Sequence, residues 1–487
     1  MGINVAELVS KQARLRPASP AIITHDRVIT YGQLSVAVGV VARHLRQQGV
    51  MPGQVVGVSM SQNPLHVITM LALAYVGAVS LPLHIAVPLE RRVLAARRFG
   101  AACVVSGRDE MALPGLPFIS LAGLSFDARS VMPEAEMHEV DADTPFRIAI
   151  SSGTSGDPKG MVITHGIMGF RNRRTESGLT QHSRLIPMDL NFIAGFVAAI
   201  RALGLGAGLV LPRSMNPDHL LHAIVSHNVT HVTLSPAQAH DLVDRFAIEG
   251  IHCPGLVCLR VVGGPLAPQL LSALRHTVTP NVYVGYGSTE SGLVAIAAPD
   301  VLERQPSSVG QVQDRARVEV VDAEDRPLPT GETGLLRIRS DDQISGYYRN
   351  EELNRKHFRD GWFYPGDLGR FDEEGLLYIE GRADDQLNIG GFKVNPEDID
   401  AALAAHPNVV EAGAFVLARE EGAELLAVAV ALREGNSLDD IRRYALAQLG
   451  PLAPSAYFIV PSLPRTITGK LRRAELSAQF TSHGQSL

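Results

Sequence analysis

Ten residues, Ser151-Ser152-Gly153-Thr154-Ser155-Gly156-Asp157-Pro158-Lys159-Gly160, concentrate groups that can grip an anion. Glycines let backbone N–H groups turn toward negative charge, serine and threonine hydroxyls add donors, and Lys159 adds a cation. That combination suits a polyphosphate. The loop is not a Walker A, because no Gly-Lys-Ser/Thr triplet closes it. A second run, Gly285-Tyr286-Gly287-Ser288-Thr289-Glu290, offers an aromatic face for a purine, a hydroxyl for a phosphate and a carboxylate for a hard cation such as Mg²⁺. Gly263-Gly264-Pro265 follows an apolar run, and two glycines there let a flat ligand lie close to backbone, although Gly-Gly is also a common turn. Asp367 follows a Pro-Gly turn, where a carboxylate either bonds its own backbone or accepts the hydroxyls of a sugar. Arg382 is a permanently charged fork donor, and Lys470 lies in a basic cluster near the carboxyl end, a pattern that is ordinarily a solvated face.

The elements around these residues read as α/β. Ile148-Ala149-Ile150 is a strand that delivers the first loop. Upstream, Tyr31-Gly32-Gln33-Leu34 opens a helix with Val38, Val41 and Leu45 on its buried stripe, and Val55–Val58 is a strand. The apolar stretch Val67 to Leu83 is short for a membrane span and is broken by Gly77, Ser80 and Pro82, so it reads as a buried helix running into a buried strand. The stretch Ile193 to Val210 contains Arg201, which argues against lipid. His231–Ser235 and Leu259–Val262 continue the alternation, which predicts mainly parallel sheets wrapped by helices. In Val282-Tyr283-Val284-Gly285-Tyr286 a strand is expected to break into the glycine-flanked aromatic. Val309 to Arg339 reads as antiparallel β turning at Pro329–Gly334, and the last hundred residues as a small α+β unit.

Taken together and in this order, the motifs resemble those of the adenylate-forming superfamily: acyl-CoA synthetases, luciferases and the adenylation domains of peptide synthetases. Pro464-Arg465-Thr466-Ile467-Thr468-Gly469-Lys470 is similar to the superfamily's last motif. The resemblance implies a large N-terminal domain of helix-wrapped, mainly parallel sheets with a β-rich subdomain, residues 1–382, and a small mobile α+β domain, residues 383–487. It implies that Ser151, Ser152, Gly153, Thr154, Ser155, Gly156 and Lys159 hold the phosphates of ATP, and that Gly263, Gly264 and Pro265 lie against adenine. Tyr286, Gly287 and Ser288 complete the nucleotide site, Asp367 takes the ribose hydroxyls, and Arg382 reaches ribose or phosphate. Thr289, Glu290 and Lys470 are the implied catalytic residues, Glu290 also holding Mg²⁺. Asp384 is the implied hinge, and Gly390 and Gly391 face the acceptor thiol once the small domain has turned. The segment Pro187–Phe196 is implied to line the acid pocket with Gly285; ungapped matching puts Leu190 where many CoA ligases carry histidine, and Phe192 and Phe196 are candidate apolar walls.

The activity implied is attack of a carboxylate on ATP to give an acyl-AMP, then transfer to a thiol, CoA first and a carrier protein's phosphopantetheine second. A silent nucleotide-binding module is the reading from another class. Composition agrees with a globular enzyme of more than one domain: 487 residues, 46% hydrophobic, 19% charged and a formal net charge of −6. That mild charge gives no reason to expect nucleic acid or an anionic membrane as partner. Three cysteines, Cys103, Cys253 and Cys258, form neither a disulfide framework nor a metal spacing and suit a reduced cytoplasmic chain. No signal core opens the sequence.

Overall fold

A computed structural model describes residues 4–126, 136–152, 158–172, 178–253, 255–383, 387–389, 392–394, 396–418, 424–433, 437–466 and 471–481. Two large sheets carry the N-terminal part. In one, the strands run in the order Phe118–Ser120, Ala101–Ser106, Val55–Val58, Val79–Pro82, Pro145–Ser152 and Pro158–Thr164. All neighbours are parallel except the last two, which form an antiparallel hairpin with Ser151 opposite Lys159. The described ends of the phosphate-loop run, Ser151 and Ser152 on one side and Pro158 and Lys159 on the other, therefore lie on paired antiparallel strands.

The second sheet has nine strands among the described residues. Its centre is parallel: Val282–Ser288, Cys258–Val262, His231–Leu234, Arg184–Ile186, Gly208–Val210 and Pro20–Ile23 lie side by side. Antiparallel strands close both edges.

Local sequence explains the helices between them. Thr30 accepts the Gln33 amide while the Gln33 side chain accepts the Thr30 amide, so a capping box starts Tyr31–Gln47. Val38, Val41 and Leu45 face the core as their spacing requires. Asn63 caps Pro64–Val76, proline occupies the first turn, and Gly77 ends the helix at φ 84°. This helix is buried nearly all round, with Met70 to Ala74 at most 1% exposed, and runs into the strand Val79–Pro82. No helix among the described residues is long and apolar enough to cross a membrane.

Between residues 311 and 394 the described strand pairs are antiparallel. Ala316–Val321 pairs with Gly334–Ser340, and Asp367–Phe371 pairs with Leu377–Arg382. Farther on, the hairpin Leu387–Ile389 and Phe392–Val394 precedes a three-stranded sheet of Val409–Ala418, Glu424–Leu432 and Ala456–Ile459 with its own apolar cluster around Ile399, Leu403, Val428 and Ile441.

Candidate active site

The strand Val282–Ser288 does not break at its glycines. It continues through Tyr286 and pairs with Gly292–Ala297, with a register shift between Tyr286 and Gly287. Backbone proximity explains the glycine at 287: a Cβ there would lie 2.1 Å from the Gly292 carbonyl oxygen. The expected break is thus a bulged hairpin whose turn presents Thr289 and Glu290.

Two tyrosine–carboxylate pairs flank this hairpin. The Tyr286 hydroxyl donates to Asp367 Oδ2 at 2.6 Å, and Arg382 Nη1 meets Asp367 Oδ1 at 3.1 Å. Asp367 and Arg382 stand directly opposite each other on paired strands, and Arg382 also donates to the Pro365 carbonyl at 3.0 Å. Burial lifts the Tyr286 phenol well above its ordinary range, and the Asp367 carboxylate adds to that rise. Tyr286 is therefore a fixed donor, anchored at its hydroxyl with its ring half-buried. A carboxylate offers about four lone-pair sites, so Asp367 can hold both partners and still accept from a ligand hydroxyl.

The second pair leaves no mark in the sequence. The Tyr347 hydroxyl donates to Glu290 Oε1 at 2.8 Å, and Tyr347 is only 5% exposed. Burial raises its phenol too, with the Glu290 charge second. Its chain position is held from two sides: Ile344 N donates to the Glu290 carbonyl at 2.9 Å, and Tyr348 N donates to the Gly160 carbonyl at 2.7 Å. The Lys159 ammonium lies 5.7 Å from the Tyr347 ring centroid. Tyr347 so links the strand carrying Lys159 to the turn carrying Glu290. Arg171 Nη2 adds a strut, donating to the Thr289 carbonyl at 2.9 Å and to the Asp342 carbonyl at 3.0 Å. Neither Tyr347 nor Arg171 lies in a glycine- or hydroxyl-rich motif, so composition gives no reason to single them out.

The segment Pro187–Phe196, expected to line the acid pocket, is braced by a buried arginine. Arg147, 1% exposed, donates through Nη2 to the carbonyls of Leu190 and Asn191, each at 3.0 Å, and stacks over Phe196 at 4.6 Å. Since Arg147 belongs to the strand that leads to the phosphate loop, it fixes one segment against the other. Burial lowers its guanidinium to about 9, partly offset by Asp189. Leu190 and Phe196 are fully buried in the main core, whereas Phe192, which precedes the helix Ile193–Leu205, is partly exposed and stacks 5.9 Å from the His84 ring. Burial by itself would raise Asp189, but hydrogen bonds from His84, at 3.3 Å, and from Asn191 hold it down at about 2.

Gly263 and Gly264 follow the strand Cys258–Val262 as expected, with Pro265 next, and Gly264 lies against Pro236. Ser151 and Ser152 end the strand Pro145–Ser152. Gly153, Thr154, Ser155, Gly156, Asp384, Gly390, Gly391 and Lys470 lie outside the described residues. Among the described residues no cluster of three or more potential metal ligands occurs. Glu290 alone suits Mg²⁺, which takes few carboxylates and completes its shell with water and phosphate.

The sequence matches the model of the AMP-binding enzyme family over residues 9–348 and that of the AMP-binding enzyme C-terminal domain over residues 398–470. A 2-succinylbenzoate–CoA ligase of Bacillus cereus is 28% identical over 476 residues, covering 96% of each chain. Part of a linear gramicidin synthase of Brevibacillus parabrevis is 30% identical across 97% of this chain, an alignment that takes in 6% of that protein. The solved structure of o-succinylbenzoate CoA synthetase from Bacillus subtilis, in complex with its acyl-adenylate intermediate, superposes with a TM-score of 0.87 at 23% identity, covering 96% of this chain and 97% of that one. With motif order, hairpin geometry and both family models in agreement, the chain belongs to the AMP-binding enzymes of the adenylate-forming superfamily.

Proposed function

We propose that the protein activates a carboxylic acid with ATP and passes the acyl group to a thiol, CoA ahead of a carrier protein's phosphopantetheine. One observation carries this reading: a single hairpin, Val282 to Ala297, brings the Tyr286–Asp367–Arg382 cluster and the Tyr347–Glu290–Lys159 cluster onto one frame. The first suits neutral sugar hydroxyls and the second suits phosphate and its cation. The names of similar proteins, CoA ligases above all, support the choice of acceptor.

The chemistry needs charge stabilisation more than an acid–base pair. An acid oxygen attacks the α-phosphorus, the bond to pyrophosphate breaks, and an acyl-AMP remains. The thiolate sulfur then attacks the acyl carbon and AMP leaves with the bonding electrons. Lys159 stands at the phosphate hairpin, and Asp367 orients the ribose. Glu290 would hold Mg²⁺, which would supply neutralisation of phosphate charge. Lys470 neutralises the approach of carboxylate to α-phosphate in the first step.

We further assign residues 1–382 to the nucleotide and acid core and 383–487 to the small domain, with Asp384 as hinge and Gly390 and Gly391 on the thiol side; the separate family matches at 9–348 and 398–470 support that division. Acid-dependent exchange of pyrophosphate into ATP, with hydroxylamine trapping of the adenylate, tests the first half. Free CoA against a phosphopantetheinylated carrier tests the second. Absence of exchange with every acid in a broad panel sinks the proposal and favours a silent nucleotide-binding module.

A further inference from the structure

Three arginines are buried among the described residues: Arg147, Arg171 and Arg201, at 1%, 4% and 7% exposure. Charged side chains are seldom buried so fully, because burial strips their hydration. An apolar side chain would fill plain core at lower cost. These guanidiniums instead hold main-chain carbonyls, and two of them act in series.

Arg201 lies on the helix Ile193–Leu205, and Arg171 lies in the last turn of the helix His165–Asn172. Arg201 donates to the Arg171 carbonyl through Nη2 at 2.8 Å and through Nε at 3.2 Å. A carbonyl in the last turn of a helix has no partner within the helix, and a cation there also meets the negative end of the helix dipole. One edge of the Arg201 fork thus fixes the backbone from which the Arg171 side chain departs.

Arg171 in turn reaches the Thr289–Glu290 turn. Its Nη2 joins two carbonyls, that of Thr289 at 2.9 Å and that of Asp342 at 3.0 Å. Two residues beyond Asp342, the Ile344 amide donates to the Glu290 carbonyl at 2.9 Å, and Tyr347 farther along donates to the Glu290 carboxylate. One guanidinium so ties together the two backbone stretches that meet at Glu290. The packing there is tight. A Cβ on Gly292, whose φ is 72°, would stand 2.8 Å from Asp342 Cβ, 3.1 Å from Asp342 Oδ2 and 3.5 Å from Arg171 Nε.

We propose that Arg201 and Arg171 are positioning residues for acid activation, with Arg201 acting through Arg171 and Arg171 setting where Thr289 and Glu290 stand. The inference rests on the adenylation reading above. A shift of about 1 Å in a group at a reacting centre can slow a reaction roughly 10²-fold, so a brace remote from the chemistry has a kinetic signature.

Acid-dependent pyrophosphate exchange by single and double variants tests it. Arg171→Met should lower kcat roughly 10- to 100-fold, with the KM for the acid within about twofold of its original value. Arg201→Met should lower kcat about 10-fold. The double variant should fall no more than about twofold below Arg171→Met, because without that guanidinium the place of its backbone no longer matters to the turn. Arg171→Lys keeps a cation able to donate to carbonyls and should regain part of the loss. One measurement needs no variant: in the unmodified protein the Ile344 amide should exchange with deuterated water as slowly as the strand amides of Val282–Ser288. Losses that multiply in the double variant overturn the proposal, as do pyrophosphate exchange unmoved by Arg171→Met and a fast Ile344 amide. If the unmodified protein exchanges pyrophosphate with no acid, the adenylation reading falls and this role falls with it.

Discussion

Two tyrosine hydroxyls donate to two carboxylates within one hairpin's reach, yet the pairs are built for different tasks. Asp367 is held by Tyr286 at 2.6 Å and by the guanidinium of Arg382 at 3.1 Å. Its charge is balanced, so it favours neutral hydroxyl donors. Glu290 is held by Tyr347 at 2.8 Å, a neutral partner that orients the carboxylate without cancelling its charge. A carboxylate kept oriented and negative is ready for a cation. On the proposed reading, the same side-chain pairing suits a sugar hydroxyl in one place and a cation in the other, and the arginine makes the difference.

Neither pair supplies the main electrostatic push if Lys470 does. Lys470→Ala should slow adenylation by roughly 10²–10³, about 3–4 kcal/mol, the scale of one preorganised contact to developing charge. Supplied with synthetic acyl-AMP and thiol, that variant should still form thioester. An equal fall in both half-reactions would refute the idea that the small domain presents different residues in the two steps.

The two carboxylates should then fail in different ways. Asp367→Asn removes the charge that Arg382 meets, and is expected to raise the KM for ATP roughly 10- to 100-fold at every Mg²⁺ concentration, or about 1.5–3 kcal/mol. Glu290→Gln keeps the Tyr347 contact but not the charge, and should raise the Mg²⁺ concentration needed for half-maximal exchange by a similar factor. Identical Mg²⁺ profiles for the two variants would erase the distinction between the sites.

Much of this frame is legible in the sequence, and the reasons are local. Gly287 marks a close backbone approach, Gly285 a close side-chain contact and Gly263 a left-handed backbone turn, and apolar periodicity marks the buried helices Tyr31–Gln47 and Pro64–Val76. The hairpin at Tyr286 reads wrongly as a break because Gly-x-Gly looks like one until the antiparallel partner Gly292–Ala297 is known. Tyr347, Arg171 and Arg147 are hidden for a related reason. Each acts across more than forty residues of chain, on Glu290, Thr289 and Leu190, and long-range partners leave no local pattern. Phe196 shows the reverse case: an aromatic in the right segment that turns out to be core, packed on Phe146 and Arg147.

The acid side offers a pH test of the bracing beneath the pocket. Asp189 titrates at about 2 in the folded chain against 3.8 for the ordinary group. A depressed carboxyl stabilises the fold above its unfolded value, and that contribution is lost as pH falls from about 4 to 2. Wild type should lose about 2 kcal/mol more than Asp189→Asn over that window. Urea unfolding at pH 5 and at pH 2.5 measures the difference, and parallel losses in the two proteins would mean that His84 and Asn191 do not hold this carboxylate in solution.

The smallest effects should separate the tyrosines. Tyr286→Phe leaves Asp367 with Arg382, so its orientation survives and its acceptor strength toward ribose falls only slightly. Tyr347→Phe leaves Glu290 without the hydroxyl that aims it, and a cation must then organise the carboxylate itself. Each substitution removes one orienting hydroxyl and leaves the carboxylate's charge in place, so the cost is set at the low end for a hydrogen bond, about 0.6 kcal/mol, roughly threefold. Tyr347→Phe should therefore raise half-saturating Mg²⁺ about threefold with little change in the KM for ATP at saturating metal, and Tyr286→Phe should do the opposite. Magnesium titrations of exchange at fixed ATP, paired with ATP titrations at fixed Mg²⁺, resolve shifts of that size. If the two variants moved the same parameter, the hydroxyls would be serving one shared scaffold, and Arg382 would no longer account for how Asp367 and Glu290 come to differ.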